Sequence, residues 1–227
     1  MLLDHVQRGF EEMSRGLAIA TNEPAVPLRL HVAPTFASQW LVPRLAGFLR
    51  DHPGIDLRIS ASTDYALFDN DDFDLDIVYG EPKVSSHEKT PLRIEELTPL
   101  CSPEVAQHLR SPQDLYAQFL IQSDGQSVQW KGWFAANGMH PPKSYGLAFD
   151  RSSMGIAAAA AGGLGVVLES DLVAEKELAS GRLVSPLRHV SNSVRYVGHY
   201  LVHPRRHRQP HAVTQFKQWL FNELAVP

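Results

Sequence analysis

The sequence predicts an α/β protein with two lobes that are joined by two crossing strands. Two blocks, residues 28–80 and 119–168, each carry strand and helix signals in the order of a βαβ unit. Extended runs at 92–101 and 194–203 lie on either side of the second block. The simplest topology therefore inserts the second block into the first and leaves a ligand cleft between the two lobes.

Length and composition fit a globular protein without a membrane span. The chain has 227 residues, of which 44% are hydrophobic and 20% are charged. It has no apolar run of the roughly 18 residues that a span requires, and its first residues lack the apolar core of a signal peptide. The single cysteine, Cys101, excludes an internal disulfide, so we expect a cytoplasmic protein. A net charge of −4 argues against DNA binding through this surface.

Residues 3–20 are predicted to form an amphipathic helix ahead of the main domain. Apolar side chains recur there at helical spacing, namely Leu3, Val6, Phe10, Met13 and Leu17. Pro24 and Pro27 then mark a linker. The pattern fits two alternatives equally well, a helix docked on this domain or a dimerising linker helix from a larger protein.

The first block begins with a predicted strand at 28–33 and a helix from Phe36 to about Arg50, with Thr35 as the expected N-cap. The apolar face of this helix consists of Trp40, Leu41, Leu45, Phe48 and Leu49. A second strand is predicted at 55–61. Because strand, helix and strand follow one another closely, the sheet is predicted to be parallel.

An acidic segment, residues 69–76, leads into a third predicted strand at 75–79. It carries five aspartates but lacks the glycine and the terminal glutamate of a calcium loop. We therefore prefer a solvated turn to a metal site. A polar loop is predicted at 83–91.

After the extended run at 92–101 and ahead of the second block, a helix is predicted that is opened by Ser102-Pro103-Glu104. A buried strand at 119–121 and a helix at 128–136 follow, and 145–149 is predicted to be extended. Trp130, Trp133 and Phe134 lie in helical register, which is more typical of a core than of a ligand-binding aromatic cluster.

Residues 149–187 organise this block. Asp150 and Ser152 are side chains that cap a helix, Gly162 and Gly163 end it, and 165–168 is suited to a buried parallel strand. A helix that starts after a strand offers free backbone N–H groups to a small anion. No nucleophile, metal set or phosphate loop accompanies this segment, so it predicts binding and not chemistry.

The chain ends in a basic loop at 204–210 and an amphipathic helix with Val213, Phe216, Trp219, Leu220 and Leu224 on its apolar face. His203, His207 and His211 have the spacing of metal ligands on a helix. Pro204 and Pro210 argue against a continuous helix there, so a solvated loop is preferred to a metal site.

Several motifs, in order, resemble one family. They are Pro34-Thr35-Phe36-Ala37 with Trp40-Leu41-Val42-Pro43-Arg44-Leu45, Asp74-Leu75-Asp76-Ile77, Pro99-Leu100-Cys101-Ser102-Pro103, the stretch 149–187, and Phe216-Lys217-Gln218-Trp219-Leu220. They span about 28–224 and are similar to the effector-binding region of LysR-type transcriptional regulators, in particular to the branch of the glycine-cleavage and D-serine deaminase activators.

The resemblance implies a type 2 periplasmic-binding-protein-like fold. Residues 1–22 would be a linker helix, 28–98 with 204–227 the first lobe, and 99–203 the second lobe. The winged helix-turn-helix that precedes the linker helix in the family is absent from this chain. The implied partners are a small effector, an amino acid such as D-serine or another small carboxylate, a second copy of the chain in a homodimer or tetramer, and DNA through the absent domain only. No cofactor, metal or membrane is implied.

The resemblance also implies an effector pocket between the lobes. Its residues would be Thr35, Phe36, Tyr79, Gln122, Ser123, Asp150, Arg151, Ser152 and Tyr200. A ligand carboxylate suits Thr35, helix-start amides and Arg151, whereas an ammonium group would need Asp150, Asp124 or Asp64. Local roles are the alternatives, because Thr35 and Ser152 could be plain caps and Asp150–Arg151 a structural pair.

Two other functions are weighed against a regulatory domain. A stand-alone solute-binding protein is the main alternative, but the missing signal peptide and the amphipathic helix at 3–20 speak against it. An enzyme is not expected, because no histidine is positioned near Cys101 in the sequence pattern and no G-x-S-x-G elbow is present.

Overall fold

A computed structural model describes residues 26–66, 68, 72–83, 86–205 and 209–225. The helix expected at 3–20 lies outside these residues. Within them, no helix is both long and apolar enough to cross a membrane.

The first lobe is built on a five-stranded sheet. Its strands are β1 (Val26–Val32), β2 (Ile55–Ala61), β3 (Leu75–Tyr79), β4 (His87–Pro91) and, from the end of the chain, β10 (His199–Pro204). Their order is β2-β1-β3-β10-β4. β1 pairs in parallel with β2 and β3, as predicted, whereas β10 runs antiparallel to β3 and β4.

The polar edge strand β4 was not predicted, because residues 83–91 were expected to form a loop. Its side chains are all partly or largely exposed, and it contributes no large apolar residue. Backbone pairing with β10 holds this strand in the sheet. Because its side chains are mostly polar, the sequence shows no alternating hydrophobic pattern that would predict the strand.

The helical segment α1 connects β1 to β2. It runs as α-helix over Pro34–Phe36, as a π-helical turn over Ala37–Leu41, as a 3-10 turn over Val42–Arg44 and again as α-helix over Leu45–Asp51. Phe36, Trp40 and Phe48 are fully buried in the core of the first lobe, but Leu49 is largely exposed, against expectation. Thr35 is not the N-cap either, since Ala33 occupies that position and Pro34 begins the helix.

The second lobe holds the other sheet. Its strands are β5 (Glu95–Cys101), β6 (Leu120–Ser123), β7 (Leu147–Phe149), β8 (Val166–Ser170) and β9 (Val194–Tyr196), in the order β7-β6-β8-β5-β9. β6 is parallel to β7 and β8, and β5 is antiparallel to β8 and β9. Two sheets, each covered by helices, confirm the predicted two-lobed α/β architecture.

The remaining helices cover these sheets. They are α2 (Pro103–Ala106), a 3-10 turn (Pro112–Ala117), α3 (Trp130–Ala136), α4 (Ser152–Ala160), α5 (Glu175–Ala179) and α6 (His211–Ala225). Trp130, Trp133 and Phe134 of α3 are fully buried in the second lobe, as predicted for a core. The C-terminal helix α6 returns to the first lobe. There the rings of Phe216 and Phe48 pack edge to face, with their centroids 5.3 Å apart.

The chain crosses between the lobes at 92–94 and at 197–198. All of β5 belongs to the second sheet and all of β10 to the first, so both crossings lie a few residues before the boundaries expected after 98 and 203. The physical reason is strand pairing. An extended run carries no mark of where its partner strand changes, and only the register of the sheets reveals it.

The expected side-chain cap at the start of α4 needs correction. Arg151 is the N-cap and there is no side-chain cap, because the Asp150 carboxylate turns to the Arg151 guanidinium at 3.0 Å. Asp76, the last residue of the acidic segment, lies within β3 and is only 1% exposed, with its oxygens 2.8 Å from His31 Nδ1 and from the amide of Ala66.

A metal role for His203 is disfavoured by its surroundings. His207 lies outside the described residues, and His211 begins α6. The buried His203 ring places Nε2 2.8 Å from the ammonium of Lys217, and burial lowers the pKa of His203. An ammonium group in that position repels a second cation.

A short segment of the second lobe packs against the first lobe. It consists of residues 171–175, and we call it the bracket. Leu172 is buried in the core of the first lobe. The Arg44 guanidinium on α1 reaches the Glu175 carboxylate at 2.6 Å, and Arg93 meets Asp171 at 3.0 Å. The two lobes are therefore fastened by apolar burial as well as by the crossings.

Leu172→Ala is expected to lower the free energy of unfolding by about 2–5 kcal/mol, because a buried leucine leaves a cavity between the lobes. Urea denaturation followed by tryptophan fluorescence measures this loss. Leu164→Ala is the matched control, since Leu164 is 44% exposed. Equal stabilities of the two variants would show that the bracket does not fasten the lobes.

Candidate functional site

A cavity of about 80 Å³ lies between the lobes. The first lobe lines it with residues 33–35 at the start of α1, Thr63 after β2, Tyr79 at the end of β3 and His199 at the start of β10. The second lobe contributes the ends of strands, the loop 125–126 and the start of α4, and these residues are Glu95, Gly125, Gln126, Asp150, Arg151, Ser152, Glu169, Ser170, Val173 and Tyr196. The cavity has room for several water molecules or for a small organic ligand.

Five of the nine predicted site residues line this cavity: Thr35, Tyr79, Asp150, Arg151 and Ser152. They come from two lobes and are far apart in sequence, so the fold brings them together. Thr35 and Ser152 do not act as caps. Thr35 Oγ1 instead accepts a hydrogen bond of 3.3 Å from the amide of Ser153 across the cleft.

Tyr200 and Phe36 lie outside the lining. In the register of β3 with β10, Tyr79 pairs with His199 and Val78 with Tyr200. Side chains of neighbouring residues on a strand point to opposite faces, so Tyr200 packs with Val78 away from the cavity. Phe36 is fully buried and supports the cavity from behind, with its ring 4.9 Å from that of His199.

Gln122 and Ser123 also lie outside the lining. Helix α4 covers Ser123 closely, since a Cβ at Gly155 would lie 3.4 Å from Ser123 Oγ. Gln122 Nε2 donates a hydrogen bond of 3.2 Å to Asp124 Oδ1. The cavity is lined instead by Gly125 and Gln126 of the loop that follows this strand.

The floor of the cavity is a buried acid–histidine pair. Glu95 is fully buried, and its carboxylate meets His199 Nδ1 at 2.7 Å and accepts a hydrogen bond from the Ser170 hydroxyl. Gly198 permits this approach, because a Cβ there would lie 2.8 Å from Glu95 Cδ. Both oxygens of Glu95 are thus engaged by protein groups.

A second buried carboxylate, Glu169, lies beside the first and is only half engaged. Its Oε1 accepts hydrogen bonds from Gln126 Nε2 at 2.6 Å and from the Ser170 amide at 3.2 Å. No hydrogen-bond partner for Oε2 exists among the described residues, although this atom is buried. Burial raises the pKa of Glu169 from its ordinary value of 4.5 to about 7, and the neighbouring charge of Glu95 adds to the increase.

Two tyrosine hydroxyls meet above the acids. The hydroxyl oxygens of Tyr79 and Tyr196 are 3.3 Å apart, and that of Tyr79 accepts a hydrogen bond of 3.2 Å from the amide of Ser127. Burial raises the pKa of both phenols, so both stay neutral at pH 7. The site thus combines acids, neutral hydroxyls and, at its rim, the Arg151 guanidinium.

Comparison with known proteins identifies the family. The model of the LysR substrate binding domain matches residues 21–225. The chain belongs to the LysR substrate binding domain family. The HTH-type transcriptional regulator PerR of Escherichia coli strain K12 is 61% identical over 224 residues, which are 99% of this chain and 75% of PerR. The glycine cleavage system transcriptional activator of the same strain is 33% identical over 203 residues, with 88% of this chain and 65% of the activator covered.

Solved structures agree with this assignment. The effector domain of the transcriptional regulator AmpR of Pseudomonas aeruginosa superimposes with a TM-score of 0.74 at 31% identity, over 88% of this chain and 96% of that domain. The fold is therefore that of LysR effector-binding domains, the type 2 periplasmic-binding-like fold. The names of these relatives are those of transcriptional regulators.

Sequence reasoning missed the acidic floor of this LysR domain. Glu169 is the one charged residue of the buried strand Val-Val-Leu-Glu-Ser, and Glu95 begins the strand Glu-Glu-Leu-Thr-Pro-Leu. A charged side chain in a strand that is buried on both faces is a signal for a functional site. Gln126, Tyr196 and His199 carry no comparable signal, since only sheet register aims them at the cavity.

The raised pKa of Glu169 predicts a pH-dependent stability. Because the folded protein holds this proton up to about pH 7 and the unfolded chain releases it near 4.5, stability from Glu169 is present below pH 4.5 and is lost as pH rises to 7. The loss amounts to about 3 kcal/mol relative to Glu169→Gln, measured by urea denaturation of both proteins between pH 4.5 and 8. Glu104→Gln, on an exposed side chain, should follow wild type at every pH.

Proposed function

We propose that this LysR domain senses a small amino acid, such as D-serine, in the cavity between its lobes and relays binding to a DNA-binding domain. The observation that carries the proposal is the polarity of the cavity, whose lining holds the Arg151 guanidinium, the first residue of α4 and two buried carboxylates, Glu95 and Glu169. A zwitterion finds in this lining a group of opposite charge for its carboxylate and another for its ammonium.

The rim is suited to the carboxylate of such a ligand. Arg151 offers a charge-assisted contact, and α4 begins at the next residue. Thr35 Oγ1 and the amide of Ser153 form an inter-lobe hydrogen bond that a ligand carboxylate would replace. In that arrangement the Asp150 carboxylate shares the Arg151 guanidinium with the ligand.

The ammonium group is assigned to the floor and not to the three aspartates that the sequence suggested. Asp124 and Asp64 do not line the cavity, and Asp150 is paired with Arg151. Glu169 is buried in the lining of the cavity, with one oxygen engaged by Gln126 and no hydrogen-bond partner for its other oxygen among the described residues.

The response of the full regulator would be a population shift between two arrangements of the lobes or of the subunits. We propose that the domain acts in the cytoplasm as part of a homodimer or tetramer, with DNA contacted through an N-terminal winged helix-turn-helix. The bracket, in which Leu172 enters the core of the first lobe, favours a small change in lobe orientation. A stand-alone solute-binding protein is not favoured, because the relatives are transcriptional regulators.

A thermal-shift screen against D- and L-amino acids tests the proposal, with D-serine first. A ligand at about 100 times its Kd adds about 2.7 kcal/mol to stability, enough to raise Tm by a few degrees. We expect such a shift with D-serine and a smaller one with L-serine. If no amino acid raises Tm, the amino-acid assignment is wrong, although the LysR fold stands.

A further inference from the structure

The open oxygen of Glu169 suggests a more specific role within the site. Its side chain is 2% exposed, and Oε2 has no hydrogen-bond partner within the described part of the chain. A buried carboxylate oxygen without a donor is costly, and such atoms are normally satisfied by protein, water or ligand. The oxygen belongs to a residue that lines the cavity, so a ligand can supply the missing donor.

The other acidic group cannot take this role. Glu95 is engaged at one oxygen by His199 and at the other by the Ser170 hydroxyl. A ligand donor would therefore have to displace a protein donor to reach Glu95, whereas Oε2 of Glu169 has no hydrogen-bond partner among the described residues.

We propose, on the basis of the proposed function, that Glu169 selects ligands with an ammonium group and releases a proton when such a ligand binds. The protonated acid and the R–NH₃⁺ group give a carboxylate–ammonium pair, and the acid proton passes to solvent. No bond to carbon forms or breaks. A hydroxy acid in the same place would leave Glu169 protonated, so it would release no proton.

The groups around Glu169 are consistent with this exchange. Glu95 on β5 disfavours a second negative charge next to it, while the phenols of Tyr79 on β3 and Tyr196 on β9 remain neutral. Of the remaining neighbours, Gln126 donates to Glu169 from its loop. His199 on β10 is turned to Glu95, and Arg151 is held by Asp150. Ser152 on α4 accepts a hydrogen bond from Gln126, and its hydroxyl lowers the pKa of Glu169. An incoming ammonium supplies the charge that lets Glu169 ionise.

Calorimetric titration of D-serine into the wild-type domain between pH 5 and 8.5 tests the exchange. In two buffers of different ionisation enthalpy, we expect release of up to one proton per ligand below pH 7 and none above pH 8. The affinity should rise about tenfold per pH unit below pH 6 and level off above pH 8. D-glycerate, which carries a hydroxyl in place of the ammonium, should show neither the proton release nor the slope.

Glu169→Gln should lower the affinity for D-serine by about 10-fold or more and remove its pH slope, while D-glycerate binding stays unchanged. Glu104→Gln is the control and should behave as wild type. Circular dichroism confirms folding, and Glu169→Asp, which keeps the carboxylate, should retain proton release if Glu169→Gln does not fold. D-serine binding without proton release, or an unchanged Glu169→Gln affinity, overturns the role of Glu169 alone. A wild-type protein that binds no amino acid overturns the proposed function together with this inference.

Discussion

Replacement of His199 by alanine is expected to lower the free energy of unfolding by about 3–5 kcal/mol. The imidazole is 3% exposed and engages the fully buried Glu95 at 2.7 Å. Without it, a carboxylate remains buried with the Ser170 hydroxyl as its main donor, and the ring contacts to Phe36 and Tyr79 are lost. Urea denaturation at pH 7 measures the loss.

A matched control and a double variant separate charge from packing in that experiment. His189→Ala, at an exposed position, should change stability by less than about 0.5 kcal/mol. Glu95→Gln combined with His199→Ala removes the stranded charge and should be more stable than His199→Ala alone. If His199→Ala costs no more than the control, the pair does not hold the floor of the cavity.

Arg151→Ala carries the largest expected effect on binding. Charge-assisted hydrogen bonds contribute about 1.5–3 kcal/mol, so the affinity for D-serine should fall about 10- to 150-fold. The fold should persist, because the Arg151 side chain is one-third exposed and, within the described part of the chain, its hydrogen bonds go to its neighbour Asp150. Calorimetric titration of D-serine at pH 7.5 gives the ratio of the two affinities.

Arg195→Ala provides the control for this loss of charge. Arg195 is exposed on β9, next to Tyr196, and successive residues on a strand point to opposite faces. It therefore points away from the cavity that Tyr196 lines. Equal affinities of the Arg151 and Arg195 variants would remove Arg151 from the carboxylate site.

The fold could be predicted because its buried strands and helices carry their own periodic patterns. Residues 55–61 and 75–79 coincide with β2 and β3, and the apolar side chains of α6 pack as expected. Prediction failed where structure depends on a partner. The edge strand β4 has no apolar period, and the crossings at 92–94 and 197–198 are fixed only by pairing.

Only part of the cavity lining could be predicted from the sequence, for a related reason. Thr35, Arg151 and Ser152 lie where a strand gives way to a helix, and such positions are visible in the sequence as strand–turn–helix signals. Glu169 and His199 face the cavity because of register and lobe placement, which are tertiary properties. The same limit explains Tyr200, which was expected in the cavity but alternates to the other face of β10.

The most direct test of the central claim, that a small amino acid binds between the lobes, is a methyl NMR titration of the domain with D-serine. We predict shifts of the Ala33 and Val173 methyl signals, which line the cavity from the two lobes, and unchanged signals from Val105 and Val213 in the two cores. A saturating titration that leaves Ala33 and Val173 unmoved would contradict the account.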